Sequence, residues 1–280
     1  MSAPFSPATS SGQGKGGLDH DLQVALHQAE LAGQSEEAAD IQSWIKLREL
    51  LRAKRPEAAL TELEAWLADQ ESLAPPTTPS SALPTTAAEV RLALLNPTLA
   101  DHLRALTEVR RWQQPAEAQA ALAGALSHPL TRAEAHNLLG VLAAEVGQTE
   151  QAATEFAAAL AADPQHYRAL TNRAGLAAER QDYAAAEADL HRALQLEPRH
   201  HAAHQNLAVV LRQQGKRAES VRAQKKAQSL DRRQVDQRGR DEARRTVSGL
   251  NRLPRSVWIA LALLLFFALF WMWGGSGPAA

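Results

Sequence analysis

Shifted by 34 residues, the middle of this chain falls on top of itself. Gly140, Ala174 and Ala208 coincide, as do Ala159, Ala193 and Ala227, and Pro164 and Pro198 fall opposite Arg232 in a third copy. In the first copy, AEAHNLLGVLAAEVGQTEQAATEFAAALAADPQ, Gly140 is followed by Ala152, Phe156, Ala159 and Pro164; in the second the same offsets give Ala186, Leu190, Ala193 and Pro198 after Ala174. A unit of this length cannot bury its own apolar face, so copies must stack on one another around a continuous core.

These residues resemble the tetratricopeptide repeat (TPR). In that family small residues let two antiparallel helices approach, a large apolar residue fills the space between repeats, and Pro stops the second helix. The resemblance covers 133–166, 167–200 and 201–232, and 88–132 reads as a degenerate TPR-like helix pair, with Ala118, Leu122 and Ala125 one period earlier and Pro129 one position short. The third copy keeps Leu207, Ala208, Gly215 and Ala227 but carries Ser220 and Gln224 and lacks the closing Pro, as expected of a terminal, partly solvated repeat.

The resemblance implies a curved solenoid whose first helices line a concave, peptide-binding face. Carried over position by position, that face presents Asn137 from the first copy, Arg168, Thr171 and Asn172 from the second, and Gln205, Asn206 and Arg212 from the third. Asn172 and Asn206 stand where the family uses Asn to hold peptide backbone, since an amide both donates and accepts. The two-carboxylate clamp of chaperone-binding members is incomplete, because Val141 replaces an Asn and Ala202 a Lys. The partners implied are proteins or peptides in the groove.

Outside the repeats, the seventeen residues VWIALALLLFFALFWMW, Val257 to Trp273, contain no charge and no polar side chain other than indole nitrogens. Apolar all round, they leave no face for water and read as a short transmembrane helix. Trp258, Trp271 and Trp273 flank the segment as interface rings, and Arg252 and Arg255 stand on its near side only. With no Lys or Arg after Arg255, the positive-inside rule places the bulk of the chain in the cytoplasm, as a single-pass, tail-anchored protein with a short exposed tail at 274–280. Residues 210–255 hold fourteen Lys plus Arg against five Asp plus Glu, although the whole chain has a formal net charge of -1. The basic juxtamembrane segment 233–256 therefore suits an anionic lipid surface. Its arginines are interleaved with Asp236, Asp241 and Glu242 and no aromatic stacks beside them, which argues against nucleic acid.

Toward the N-terminus, 1–17 is a Ser, Pro and Gly tail, and its GQGKGG lacks the spacing and preceding strand of a phosphate loop. Residues 18–70 carry apolar positions at helical spacing in three segments: Leu22, Leu26 and Ala29; Ile41, Trp44, Ile45 and Leu47; Leu60, Leu63 and Leu67. Ser35 reads as an N-cap and Pro56 as a first-turn residue. A Pro/Ser/Thr-rich linker, 71–87, separates this three-helix unit from the repeats.

The fold class expected is therefore all-α: a TPR α-solenoid with a separate N-terminal helical unit and one C-terminal transmembrane helix. Zero cysteines exclude disulfides and thiolate chemistry. His200 and His204 have i, i+4 spacing but no carboxylate at ligand distance in sequence, so they and His201 read as surface histidines, with no metal and no cofactor expected. No nucleophile–base set or paired carboxylates stand out, and Glu145 and Glu179 recur as a solvent-facing repeat position; the chain is not expected to be an enzyme. Arg outnumbers Lys by roughly four to one, a bias of GC-rich bacterial genomes, so the membrane expected is the bacterial inner membrane. The function expected is a membrane-anchored scaffold for protein–protein interactions. The alternatives are an accessory subunit of an envelope complex assembled through its transmembrane helix, and a lipid- or nucleic-acid-engaging protein whose repeats are only structural.

Overall fold

Ala-rich sequence with few β-branched residues favours helix, and helix is what the described residues form. The structure, a computed structural model, describes residues 17–70, 86–108 and 114–250, with side chains described for 21–70, 86–108 and 114–233. No strand occurs among the described residues. The hydrophobic segment 257–273, with Trp258, Trp271, Trp273, Arg252 and Arg255, lies outside them, as do the N-terminal tail and most of the Pro-rich linker. Among the described residues no helix is long and apolar enough to cross a membrane.

The first three helices are α1 (Gly17–Leu31), α2 (Ser35–Arg52) and α3 (Pro56–Ala68). Pro56 stands in the first turn of α3, where its missing N–H is no loss. Ser35 opens α2 rather than capping it; Gln34 holds the cap position and makes no side-chain cap bond. Leu22, Ile41, Trp44, Leu47 and Leu63 are buried, but Leu67 faces out and Trp66 is buried in its place.

Four short helices follow: α4 (Ala87–Leu94), α5 (Leu99–Thr107), α6 (Pro115–Ala121) and α7 (Ala123–Ser127). The single helix pair expected over 88–132 is thus broken in two places. Pro97 follows α4, where the Asn96 side chain accepts from the Thr98 N–H in a local turn, and the backbone at Leu122 divides α6 from α7. Ala118, Leu122 and Ala125 are nonetheless fully buried.

The N-terminal helices are not a separate unit. One core runs from Leu22, Trp44 and Leu63 through Val90, Leu103 and Leu122 to Leu139 and Leu142. Polar contacts reinforce it: Asp40 of α2 accepts from Trp66 Nε1 of α3 (3.1 Å) and from Arg91 Nη1 of α4 (3.3 Å). The helices on either side of the Pro-rich stretch share this core, and burying Trp44 and Leu63 requires a partner surface.

The repeats follow as α8 (Arg132–Glu145) with α9 (Thr149–Ala162), α10 (Tyr167–Glu179) with α11 (Tyr183–Leu196), and α12 (His201–Gln213) with α13 (Arg217–Leu250). Gly140 lies against the Phe156 ring so closely that an added Cβ would meet it at 2.6 Å. The turns recur with the same period. Gly147, Gln181 and Gly215 have φ of 79°, 62° and 78°, and the following N–H reaches back to Ala143, Ala177 and Leu211 carbonyls at 2.8, 2.9 and 2.9 Å. The same closure joins α1 to α2 at Gly33 and α2 to α3 at Lys54.

Ser220, expected at a partly solvated surface, is buried, and its hydroxyl donates to the Ala208 carbonyl at 2.7 Å across the α12–α13 contact. Without a proline at position 232, α13 does not stop there but continues to Leu250, through most of the basic segment. The chain divides into two units, Met1–Gln224 and Lys225–Ala280, and in the second the described residues are the helical stretch 225–250.

Candidate peptide-binding cleft

The polar residues expected on a concave face divide sharply by copy. Asn137 is fully buried: its Nδ2 donates to Glu134 Oε2 (3.3 Å) and its Oδ1 accepts from Asn172 Nδ2 (2.9 Å). Thr171 is buried as well, its hydroxyl turned back onto the Tyr167 carbonyl at 2.9 Å. Arg168 Nη1 is held by both oxygens of Glu134, at 2.9 and 3.1 Å. Asn137, Arg168 and Asn172 therefore take part in contacts that join the first repeat to the second, whereas Thr171 is satisfied within its own helix. Gln205 and Arg212 are exposed and Asn206 is half-buried.

Glu134 is the centre of this network. Burial raises its pKa, but the Arg168 charge and the His166 hydrogen bond outweigh burial and hold the carboxylate below its ordinary value. His166 Nδ1 accepts the Ala169 N–H (3.2 Å), which leaves Nε2 as the donor to Glu134 Oε2 at 3.0 Å. His166 is thus a buried helix cap. One repeat on, His200 packs its ring edge-on to Tyr167 with centroids 4.9 Å apart, and burial first, then the Arg168 charge, lowers its pKa to about 4. His204 Nε2 lies 3.1 Å from the Pro198 carbonyl. No cluster able to hold a metal occurs among the described residues.

A second ionic group fixes α2 against the first repeat. Asp163, in the turn after α9, accepts from Arg48 Nη2 (2.9 Å), Arg52 Nε (2.6 Å) and Arg52 Nη2 (2.7 Å). Burial raises the Asp163 pKa, and the Arg52 hydrogen bond with the Arg48 and Arg52 charges reverses this, lowering it to about 2. The acid recurs at the repeat period as Glu197 and Asp231.

Where α2 hands over to α3, a cleft of about 670 Å³ opens. One wall is the turn and first residues of α3, Lys54 to Ala58; a second is Leu106 and Thr107 at the end of α5; the third is the face of α8 carrying Glu134, Leu138, Val141, Leu142 and Glu145. The α8 positions are spaced by three and four, so they share one side of the helix. Lys54 and Arg55 are exposed and make no ion pair among the described residues, and the same holds for Glu145 on the facing wall. One wall thus carries Lys54, Arg55 and the exposed Glu57, the facing wall Glu145 with half-buried Val141 and the largely buried Leu138 and Leu142, and none of the residues expected on the concave face lines the cleft. A basic run closing a helix, RAKR at 52–55, was the one local signal for it.

The tetratricopeptide repeat family profile matches residues 133–166 and 201–234. These residues are tetratricopeptide repeats. The TPR copies so matched contain α8 and α9, and α12 with the first half of α13. No curated protein matches the chain. Among solved structures it is similar to MamA RS-1 in a double-mutant form, at 16% identity and a TM-score of 0.41 over 70% of this chain and 96% of that one. MamA MSR-1 gives 19% identity, a TM-score of 0.38 and coverage of 70% and 98%. MamA from residue 41 onward of Desulfovibrio magneticus RS-1 gives 19%, 0.36, 70% and 96%. At these scores nothing of MamA's own role carries over to this chain.

Proposed function

We propose that this chain is a non-enzymatic adaptor that binds a segment of a partner protein and is held at the cytoplasmic face of a membrane, the bacterial inner membrane, by residues 257–273. The observation that carries the interaction half is the cleft between α3, α5 and α8: it is open, holds half-buried Val141 beside Leu138 and Leu142, and carries Lys54, Arg55, Glu57 and Glu145, which make no ion pair among the described residues. Concave pockets of several hundred Å³ are where segments and small ligands bind. The anchor half is supported by the sequence alone, seventeen residues without a charge between Arg255 and a tail lacking Lys and Arg. The basic stretch 233–256 assists by attraction to anionic lipid.

Both halves are tested in one experiment. The full chain and a chain ending at 250 are expressed in a bacterial host, fractionated, washed with alkaline carbonate and purified with whatever accompanies them. The full chain is expected in the carbonate-resistant membrane fraction with a partner at stoichiometric level, and the shortened chain in the supernatant with the same partner. A full chain recovered without detergent defeats the anchor; absence of any partner from both preparations defeats the adaptor.

A further inference from the structure

The outer side of α13 carries one sign of charge. Ser220, Ala223, Ala227 and Leu230 are the buried residues of its described part, spaced by three and four, so they form one stripe along the helix. Arg217, Arg222, Lys225, Lys226, Arg232 and Arg233 are all exposed, and none makes an ion pair among the described residues. Counted at about 100° per residue from Arg217, these basic residues fall within roughly 0–180°, the buried stripe lies at roughly 220–300°, and Glu219 and Asp231 stand at its edges, at roughly 200° and 320°. Both acids of the stretch therefore flank the stripe, and the outward half-circle, with exposed Val221 in it, has none.

We propose, resting on the membrane-anchor reading above, that this face of α13 lies along an anionic lipid surface, so that the last repeat helix is itself a membrane contact. The apolar segment begins at Val257, seven residues after Leu250 ends α13, so lipid is the surface that this helix approaches. Attraction to charged headgroups falls off within a Debye length, about 8–10 Å. A helix standing upright on its anchor would hold Arg217 to Lys226 about 36–50 Å beyond Leu250, out of range, whereas a helix lying along the surface brings the whole basic face within it. Each basic residue then strengthens attachment about fivefold. Glu219 and Asp231, at the edges, stay clear of the headgroups. Val221, 49% exposed, adds an apolar contact at the headgroup boundary, and between Arg217 and Arg233 no aromatic ring is present to stack on a nucleic-acid base.

The chain has no cysteine, so Gln228→Cys, at an exposed position within this face, takes a single fluorescent label. The labelled full chain is reconstituted into vesicles of phosphatidylcholine alone or mixed with phosphatidylglycerol, both doped with a lipid carrying a nitroxide quencher on its headgroup. Quenching is expected to be about threefold or more stronger in the anionic vesicles, and the difference is lost in high salt and on combining Arg217→Glu, Arg222→Glu, Lys225→Glu and Lys226→Glu. Replacing the same residues with Gln is the gentler change, and circular dichroism confirms that both variants fold; both stay vesicle-bound through 257–273. Quenching equal in the two vesicles, or unchanged by the charge reversal, overturns the proposal and leaves the anchor intact. A chain that does not float with neutral vesicles defeats the anchor instead; flotation with anionic vesicles that the reversal removes then reads the face alone, and flotation with neither overturns it. Reversal-sensitive binding of a duplex oligonucleotide, without quenching on anionic vesicles, gives the face to nucleic acid and overturns the proposal equally.

Discussion

Replacing Asp163 with Asn tests whether α2 is docked on the first repeat by charge. The carboxylate lies between Arg48 and Arg52 at 2.6 to 2.9 Å, and the side chains of Asp163, Arg48 and Arg52 are 6, 7 and 13% exposed. Removing the carboxylate breaks the buried ion pairs that it makes with both arginines, and breaking a pair so buried costs about 3–5 kcal/mol. The pH dependence gives an independent measure. Asp163 has its pKa lowered from 3.8 to about 2 on folding, so the unfolded chain takes up the proton first as pH falls. The stabilisation is present in full above the unfolded value of 3.8 and is lost as pH drops through the folded value. At 1.36 kcal/mol per unit, the gap between wild type and Asp163→Asn should shrink by about 2 kcal/mol between pH 5 and pH 2. Urea unfolding of the full chain in mild detergent, followed by circular dichroism at 222 nm, reads both quantities, and subtracting the variant cancels the other carboxylates. A variant within about 1 kcal/mol of wild type at pH 7, or a gap constant from pH 5 to pH 2, would refute the docking by charge.

Three further outcomes follow from the same geometry. Gly140→Ala drives a methyl into the Phe156 ring and should cost about 1–3 kcal/mol less up to about 1 of helix propensity; adding Phe156→Leu, which recreates the Ala174 and Leu190 pair of the next copy, should recover part of it in a double-mutant cycle. Gln181→Gly relieves a side chain at φ 62° where Gly147 and Gly215 stand in the neighbouring copies, and should raise urea stability by about 0.5–1 kcal/mol. His128 is buried, accepting from the Leu130 N–H at Nδ1 and facing the Ala93 carbonyl with Nε2; burial lowers its pKa from 6.5 to about 4. The unfolded chain therefore protonates first, stability falls as pH drops from 6.5 towards 4, by at most about 3 kcal/mol, and His128→Gln should flatten that part of the pH profile.

What the sequence made legible was whatever repeats or sits close in the chain. The 34-residue period located Gly140, Ala174 and Ala208, and the helix-closing turns at 147, 181 and 215 obey the same spacing because a left-handed residue must stand there in every copy. What it could not show is the contact between α2 and the turn at Asp163, 111 to 115 residues away, since nothing local in RELLRAKR announces which acid its arginines meet. The burial of Asn137 was hidden for a related reason. Polar residues on the first helix of a repeat read as solvent-facing only while that face is open. Once the N-terminal helices share a core with α8, Asn137 and Glu134 are sealed in, and a sealed polar group must find its partner within the protein. The network Glu134, Asn137, His166, Arg168 and Asn172 is the result, and the open surface moves to the border between α3 and α8, where repeat and non-repeat helices meet. A period in sequence predicts the residues that touch their own copies; it says nothing of a surface made jointly with helices outside the period, and the cleft is such a surface.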